Sequence, residues 1–349
     1  MPRGAGMAPC ETMPVYCWAS ARGVNAGIAS AESDNISRRV MVVVLVCLRI
    51  SSRGDGMSAS RLIPIAVMLA VMPGFAAQRY SGSGLTISVD RAKRTIVISH
   101  DSIGGYMDAM VMPFRVRDVA SMNGLVAGTR VDFTLVVDSG SSWIEGLHAV
   151  PFRSSERDPE QARRLGVIES IIGKGGANQL SPGQPVPDFS LPDQDNRMTA
   201  LSGFSGKVVV VNFVYTRCPL PDYCFRLSNN LSQMRKRFAD RMGRDLILLT
   251  ITFDPVRDTP AVMANYAHIW NADPKTWHFL SGTPAEVQRV CGMFGVAAWQ
   301  DEGILTHSLH TVVIDRNRKL AANLEGNGYS AKQLGDLVEA VMNRVTERP

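Results

Sequence analysis

Two cysteines and a distant histidine are the residues of this sequence best suited to redox or metal chemistry. Cys218 and Cys224 follow closely on the apolar run 208–214, which predicts a buried strand, and a helical segment comes after them. A helix N-terminus offers unpaired N–H groups and a partial positive charge, and both lower the pKa of a nearby thiol. The pair therefore favours the thiolate, which is the form that binds metals or attacks disulfides.

His307 supplies a third donor from far along the chain. The segment 303–310 mixes polar and apolar residues without a clear period, so we predict a loop before a strand at 311–315. In an α/β sheet such a loop can reach the cysteine-bearing turn. Two thiolates and an imidazole suit copper in either oxidation state, and they also suit zinc. His310 is an alternative ligand from the same loop; its other role would be that of a solvated loop histidine.

A second set of soft donors lies earlier in the chain. Met107, Met110 and Met112 fall within six residues, and His100 stands on the preceding strand pattern. Met110 and Met112 share a face if this stretch is extended. Thioethers are neutral soft donors that favour Cu(I) or Ag(I) over zinc, and His100 could complete the set. The alternative is that these are ordinary core methionines.

The elements that must position these residues divide the chain into two domains. Alternation of apolar and polar residues from Leu85 to about Val150 predicts a small all-β barrel over 80–152. Residues 153–184 are rich in charge, glycine and serine, which predicts a linker with one short helix. Apolar strands alternate with helices over 185–349, which predicts an α/β domain. Its predicted strands are 208–214, 246–253 and 311–315, and its predicted helices are 224–241, 259–270 and one after Ser330.

The first residues of the chain predict export. An apolar run at 62–72 follows Arg61, and small residues come next, so 57–77 is typical of a secretory signal peptide. We expect translation to begin at Met57 and residues 1–56 to be a non-native or unstructured leader. The alternatives are a genuine long leader and an uncleaved segment that anchors the protein to a membrane. A second apolar run, 40–48, is too short to cross a bilayer of about 30 Å as a helix.

Composition narrows the function classes. The net charge of +5 is spread over 37 basic and 32 acidic residues without a long basic run, which argues against a nucleic-acid partner. Removal of the leader leaves three cysteines, an odd number that does not form a dense disulfide framework. Cys291 lies in an apolar segment and is predicted to be buried packing. A plain disulfide between Cys218 and Cys224 would contribute little, because it closes a short loop.

Several motifs of the second domain resemble the Sco/SenC family. They are Pro187-Asp188-Phe189, the run from Lys207 to Cys218, the run from Phe253 to Pro260, and Thr306-His307-Ser308. The resemblance implies a thioredoxin-like fold that holds copper through Cys218, Cys224 and His307, with Asp254 near the site. It also implies a role in assembling the copper centre of cytochrome c oxidase. The family usually has three residues between its cysteines, whereas this chain has five, so residues 219–223 must bulge as a rigid turn.

The segment 98–114 resembles the periplasmic CusF-like copper-binding domain, a small OB-type barrel. The resemblance implies ligands at His100, Met110 and Met112, with Met107 in place of the usual aromatic cap and as a further donor. Trp143 is expected in the core instead. Together the resemblances imply a two-domain copper metallochaperone of the periplasm or cell envelope. Its client would be a cytochrome c oxidase subunit or another cuproprotein, and its linker would favour handover between domains.

Two other functions remain open from sequence. One is an envelope thiol-disulfide oxidoreductase that uses Cys218 and Cys224 as a redox pair. Enzymes of the thioredoxin class usually have two residues between their cysteines and a cis-proline before the facing strand. Here Leu309-His310 precedes that strand, which favours metal binding over enzymatic activity. The other is copper tolerance by sequestration, without a client.

Overall fold

A computed structural model of the chain describes residues 45–46, 65–66, 77–152, 179–301 and 304–344. Most of the predicted leader, signal peptide and linker lies outside these ranges. Two short strands, β1 (Leu45–Val46) and β2 (Ile65–Ala66), pair antiparallel. Within the described residues no helix combines the length and the apolar character needed to cross a membrane.

Residues 77–152 form the barrel domain, an antiparallel five-stranded sheet in the order β5-β4-β3-β6-β7. Its strands are β3 (Gln78–Asp90), β4 (Thr95–His100), β5 (Val111–Arg115), β6 (Arg130–Asp138) and β7 (Ser141–Ala149), with a 3-10 turn at Val119–Met122. Irregularities between Thr86 and Ser88, where β3 pairs β4, mark a bulge that bends the sheet. A bridge between Val116 and Ile144 joins the end of β5 to β7, so the sheet curls towards closure. The predicted small all-β domain is confirmed.

Residues 179–344 form the α/β domain around a second five-stranded sheet in the order β12-β11-β10-β15-β16. Its strands are β10 (Val208–Val214), β11 (Leu246–Thr252), β12 (Trp277–Leu280), β15 (His310–Ile314) and β16 (Leu320–Glu325). β10, β11 and β12 run parallel, and β15 and β16 return antiparallel. This sheet with its helices is the predicted thioredoxin-like fold.

Four helices and two hairpins complete the α/β domain. They are α1 (Arg226–Arg237), α2 (Pro260–Ile269), α3 (Pro284–Met293), α4 (Ala331–Met342), the hairpin of β8 (Ser190–Pro192) with β9 (Met198–Ala200), and that of β13 (Ala298–Asp301) with β14 (Ile304–His307). A 3-10 turn, Leu201–Phe204, follows β9. β10, β11 and β15 are buried along their whole length, which is why their sequences are continuous apolar runs rather than alternating ones.

The prediction of a loop over 303–310 is wrong. β14 occupies 304–307 and β15 begins at His310, so only two residues separate them. β14 is set by backbone pairing with β13, in which Ala298 opposes His307, and such local pairing does not require a hydrophobic period. The helix predicted at 224–241 is shorter, because a separate wide turn precedes it and it ends at Arg237.

The barrel domain and the α/β domain share a hydrophobic core. On β4, Ile96 and Ile98 point into the barrel's own core, while Val97, between them, packs against the core of the α/β domain. Leu85 and Ile87 of β3 are buried within that same α/β core. The two faces of the barrel sheet thus bury apolar side chains in different places, because successive strand residues point to opposite faces.

We predict that Leu85→Ala destabilises both domains together. Leu85 is 1% exposed and lies in the shared core, so its truncation should lower the free energy of unfolding by about 2–5 kcal/mol. Urea unfolding should show one transition shifted to lower urea by both far-UV and tryptophan signals. The control is Val111→Ala, at a side chain that is 43% exposed, for which we expect a change within about 0.5 kcal/mol. A transition of the α/β domain that Leu85→Ala leaves unmoved would contradict the shared core.

Candidate metal centres

Both cysteines lie beyond the C-terminal end of β10, at the start of α1. Cys218 follows the end of the strand by four residues, and Cys224 lies in a single π-helical turn, Pro221–Phe225. Tyr223 has non-helical backbone angles, φ −103° and ψ −111°, inside this turn. The wide turn absorbs the extra residues between the cysteines, and it is the form taken by the bulge predicted for 219–223.

His307 meets the two sulfurs from the end of β14. The ligand atoms of Cys218, Cys224 and His307 all lie within 4.8 Å of one another, and Cys224 Sγ is 3.8 Å from His307 Nε2. His307 Nδ1 lies 3.0 Å from the carbonyl oxygen of Ser308. Because a carbonyl oxygen only accepts, Nδ1 carries the proton and the lone pair of Nε2 faces the sulfurs. This is the orientation that a metal-binding histidine requires.

The two thiols differ in environment and therefore in pKa. Cys224 is 1% exposed, whereas Cys218 is partly exposed. The hydrogen bond from the Cys224 thiol lowers the pKa of Cys218 to about 4 against the opposing effect of burial. Burial, followed by the neighbouring Cys218 sulfur, raises the pKa of Cys224 well above its ordinary value. Without metal the pair thus holds one thiolate and one thiol.

Aromatic rings wall the site. The centroid of the His307 ring lies 4.5 Å from that of Phe253, 5.6 Å from that of Tyr215 and 6.2 Å from that of Tyr223. All three rings are buried. Cys224 and His307 are buried beside these rings, and Cys218 is the partly exposed member of the three.

Asp254, predicted near the site, lies in an ion pair rather than among the ligand atoms. It is 7% exposed and accepts a 2.9 Å hydrogen bond from Arg217, the residue before Cys218. Arg257 lies 3.5 Å from its other oxygen. The group of three ligand atoms among the described residues does not include it. Asp254 therefore fixes the turn that carries Cys218.

Asp258 is a supporting residue that the sequence analysis did not single out. It is 1% exposed and accepts hydrogen bonds from the Thr216 N–H, the Thr216 hydroxyl and the Thr252 hydroxyl at 3.0, 2.6 and 2.6 Å. It thus ties the turn before Cys218 to the end of β11. The run from Phe253 to Pro260 contains both Asp254 and Asp258. The second carboxylate in this motif is the sequence feature that could have indicated the role of Asp258.

The remaining candidates of the α/β domain have structural positions. His310 is buried on β15, with Nδ1 2.9 Å from Asn323 Oδ1, so its expected place in a solvated loop is wrong. It is also not part of the three-atom group. Cys291 is buried in α3, and burial raises its pKa to about 12, which confirms its packing role.

His100 ends β4 with one ring nitrogen unpartnered. The ring is 1% exposed, and Nδ1 lies 2.7 Å from the Asp101 carbonyl oxygen, so Nδ1 carries the proton. Nε2 is buried and has no hydrogen-bond partner among the described residues. A buried polar atom without a partner is costly unless something binds it.

Backbone pairing brings two of the three methionines, Met110 and Met112, near His100. The backbone N–H of His100 donates to the Met110 carbonyl oxygen at 3.0 Å, and Met112 opposes Ile98 across the β4–β5 ladder. Ile98 and His100 share a face of β4, so Met112 and His100 lie on the same side of the sheet. Met110 is 38% exposed, while Met107 and Met112 pack partly against the barrel core. Met112 and His100 thus place one thioether and one imidazole on the same face of the sheet, and these donor types suit Cu(I).

Two aromatic features of the barrel domain differ from expectation. Tyr106 stacks on Tyr80 with ring centroids 4.6 Å apart, next to Met107, and neither tyrosine was singled out from sequence. Trp143, expected in the core, is only half-buried: its Nε1 donates to Glu145 at 2.8 Å and the Arg117 guanidinium lies 5.5 Å from its ring. Its polar N–H keeps it on the outer face, where a carboxylate can accept from it.

Comparisons with known proteins divide the chain in the same way. Residues 178–343 match the family described as SCO1/SenC, and residues 79–149 match "Copper binding periplasmic protein CusF". The chain is 27% identical over 187 residues to a SCO2-like protein of Rickettsia felis, covering 51% of this chain and 83% of that protein. It is 28% identical over 223 residues to the mitochondrial SCO2 homolog of Bos taurus, covering 61% and 75%.

A bacterial protein and a solved structure are also similar. A putative copper-binding protein of Stutzerimonas stutzeri is 27% identical over 163 residues, covering 44% of this chain and 76% of that protein. The crystal structure of yeast Sco1 with copper bound aligns with a TM-score of 0.40 and 27% identity, covering 48% of this chain and 92% of that one. This chain therefore has a SCO1/SenC domain at residues 178–343, and a CusF-like domain precedes it at residues 79–149.

Proposed function

We propose that this chain is a copper metallochaperone of the cell envelope. In this proposal it delivers copper to the copper site of cytochrome c oxidase, or keeps that site reduced. The observation that carries the proposal is the convergence of Cys218, Cys224 and His307, whose ligand atoms lie within 4.8 Å of one another. Two sulfurs and one imidazole nitrogen form a soft donor set for copper.

Copper is favoured over zinc by the second donor set. Thioethers bind Cu(I) well and zinc poorly, and Met112 shares a face of the sheet with His100, whose buried Nε2 has no hydrogen-bond partner among the described residues. The names of the similar proteins also mention copper. The barrel domain would receive or store Cu(I), and the α/β domain would deliver it.

The burial of the ligands suggests how copper leaves the main site. Cys224 and His307 are buried, while Cys218 is partly exposed at the rim. An incoming client ligand can therefore replace Cys218 first, while the two inner ligands still hold the ion. Arg217 and Arg257 border this rim with exposed side chains, so an acidic client surface would be complementary.

A copper stoichiometry measurement tests both sites. Under reducing conditions with excess Cu(I), we expect about two copper ions per chain, falling to about one in Cys218→Ser. X-ray absorption should show that the lost site is rich in sulfur and has one nitrogen donor. Cys291→Ala is the matched control, because it removes a buried thiol outside the site, and it should retain both ions. Two ions bound by Cys218→Ser would contradict the assigned ligands.

The asymmetric thiol pair favours a second candidate function, an envelope thiol-disulfide oxidoreductase. A partly exposed thiolate at Cys218 beside a buried, protonated Cys224 is the arrangement of an attacking and a resolving cysteine. Reduction of insulin disulfides by the metal-free protein would support this candidate. If the protein does not reduce insulin disulfides and binds copper tightly, the metallochaperone function is favoured.

The reactivity of Cys218 should be nearly independent of pH. An ordinary thiol with a pKa of about 8.5 is alkylated about tenfold faster per pH unit from about pH 6 to 8. The pKa of Cys218 is lowered to about 4, so it is already ionised throughout this window. In reduced, metal-free protein the rate of iodoacetamide labelling at Cys218, followed by mass spectrometry, should be flat. Cys224 serves as the internal control and should remain unlabelled; a tenfold rise per pH unit at Cys218 would exclude the thiolate.

A deletion experiment separates delivery from sequestration. Deleting the gene should lower cytochrome c oxidase activity most strongly at low copper, because the client then depends on delivery. Wild-type chain and Cys291→Ala should restore the activity, and Cys218→Ser should not. Full oxidase activity in the deletion strain, with reduced tolerance to added copper, would instead identify a sequestering protein.

A further inference from the structure

The strand that carries His100 is held by a helix of the other domain. The residues on both sides of His100 bond to α4 of the α/β domain. The Ser99 hydroxyl donates to Asp336 at 2.7 Å, and Gln333 Nε2 donates to the Ser99 carbonyl oxygen at 3.0 Å and to the Asp101 carboxylate at 3.1 Å. His100 is thus bracketed by contacts that originate more than 230 residues further along the chain.

The side-chain amide of Gln333 joins α4 to the barrel domain, because its oxygen bonds within α4 and its nitrogen bonds to the barrel domain. Its Oε1 accepts from the Ser330 N–H at 2.9 Å in the capping box that begins α4. Its Nε2 makes the two bonds to Ser99 and Asp101. The side chain is 3% exposed, so water does not replace these bonds. The cap needs only an acceptor, which glutamate also supplies, whereas the bridge to the barrel needs the amide donor.

Asp101 connects Gln333 to the imidazole of His100. Its carboxylate is held by Gln333, by Arg130 at 2.9 Å and by the Ser83 hydroxyl at 2.7 Å. Its own carbonyl oxygen accepts the proton of His100 Nδ1 at 2.7 Å. A fixed Asp101 therefore fixes the plane of the ring and the direction of the unpartnered Nε2.

We propose that Gln333 is a positioning residue for the copper site of the barrel domain, so that this site is complete only when the two domains are docked. The inference rests on the proposed binding of Cu(I) by His100. It assigns to the α/β domain a second role, which is to orient a ligand of its neighbour. Ser99 and Asp336 strengthen the same contact, and Lys332 and Arg237 balance the Asp336 charge at 2.9 and 2.8 Å.

The test uses the chain with Cys218→Ser and Cys224→Ser as parent, so that only copper in the barrel domain is measured. Gln333→Glu keeps the acceptor that caps α4 but places a carboxylate against the Ser99 carbonyl and the Asp101 carboxylate. We expect the Cu(I) affinity, measured by competition with a chromogenic chelator, to fall about tenfold or more. X-ray absorption should show loss of the nitrogen donor while the sulfur donors remain, a change that general destabilisation would not produce.

Two further variants complete the design. Glu286→Gln is the matched control, because Glu286 occupies the same capping position in α3 and its hydrogen bonds go to Thr283; affinity and nitrogen donor should not change. Gln333→Ala removes the donor without adding a charge and should lower the Cu(I) affinity by a smaller factor. This variant covers the case that Gln333→Glu does not fold.

Two outcomes would contradict the inference. The affinity of the parent with an intact nitrogen donor, found in the folded Gln333 variants, would overturn the positioning role alone. A parent whose copper binding survives His100→Ala would overturn the barrel site itself, and with it this inference.

Discussion

Both candidate centres depend on one constraint on a histidine ring. Its Nδ1 is bonded to the backbone, so that Nε2 is left to bind a metal. His307 Nδ1 lies 3.0 Å from the carbonyl oxygen of Ser308, and His100 Nδ1 lies 2.7 Å from that of Asp101. In each case the acceptor is the carbonyl of the next residue, where the strand ends. This local bond selects the tautomer whose Nε2 is the acceptor, and Nε2 of His307 lies 3.8 Å from Cys224 Sγ.

The surroundings of the two imidazoles then separate their roles. His307 faces a thiolate and a thiol, of which Cys224 is buried and Cys218 is partly exposed. His100 shares a face of the sheet with Met112, whose thioether is neutral. A set that contains a thiolate carries a negative charge that attracts a cation, whereas imidazole and thioether donors are neutral. In the proposed function, this difference would favour transfer of copper from the barrel domain to the α/β domain.

The sequence predicted the parts of the structure that local patterns control. The run Val208–Val214 is fully buried as predicted, and Ser330 caps α4 where the last helix was expected to begin. Alternation around Leu85 predicted a strand, but alternation cannot show which element covers the outward face. The strand β14 depends on pairing with β13, and the role of Gln333 depends on a contact 234 residues away, so neither leaves a local pattern. Asp258 stood inside a motif that was noticed, yet only the fold shows that its carboxylate holds the turn before Cys218.

The shared core limits how copper can pass between the two sites. Burial of Leu85 and Ile87 in the core of the α/β domain means that separating the domains would expose both side chains, at about 1.5–3 kcal/mol each. The bonds from Gln333 and Asp336 to β4 would be lost as well. A free swing of one domain on its linker is therefore costly. The loop between β16 and α4 also contacts the turn that carries the cysteines. In this loop Asn327, six residues before Gln333, donates a hydrogen bond to the carbonyl oxygen of Asp222. The segment that positions His100 thus also contacts the turn that carries Cys224, so the two centres are linked through packed structure as well as through the linker.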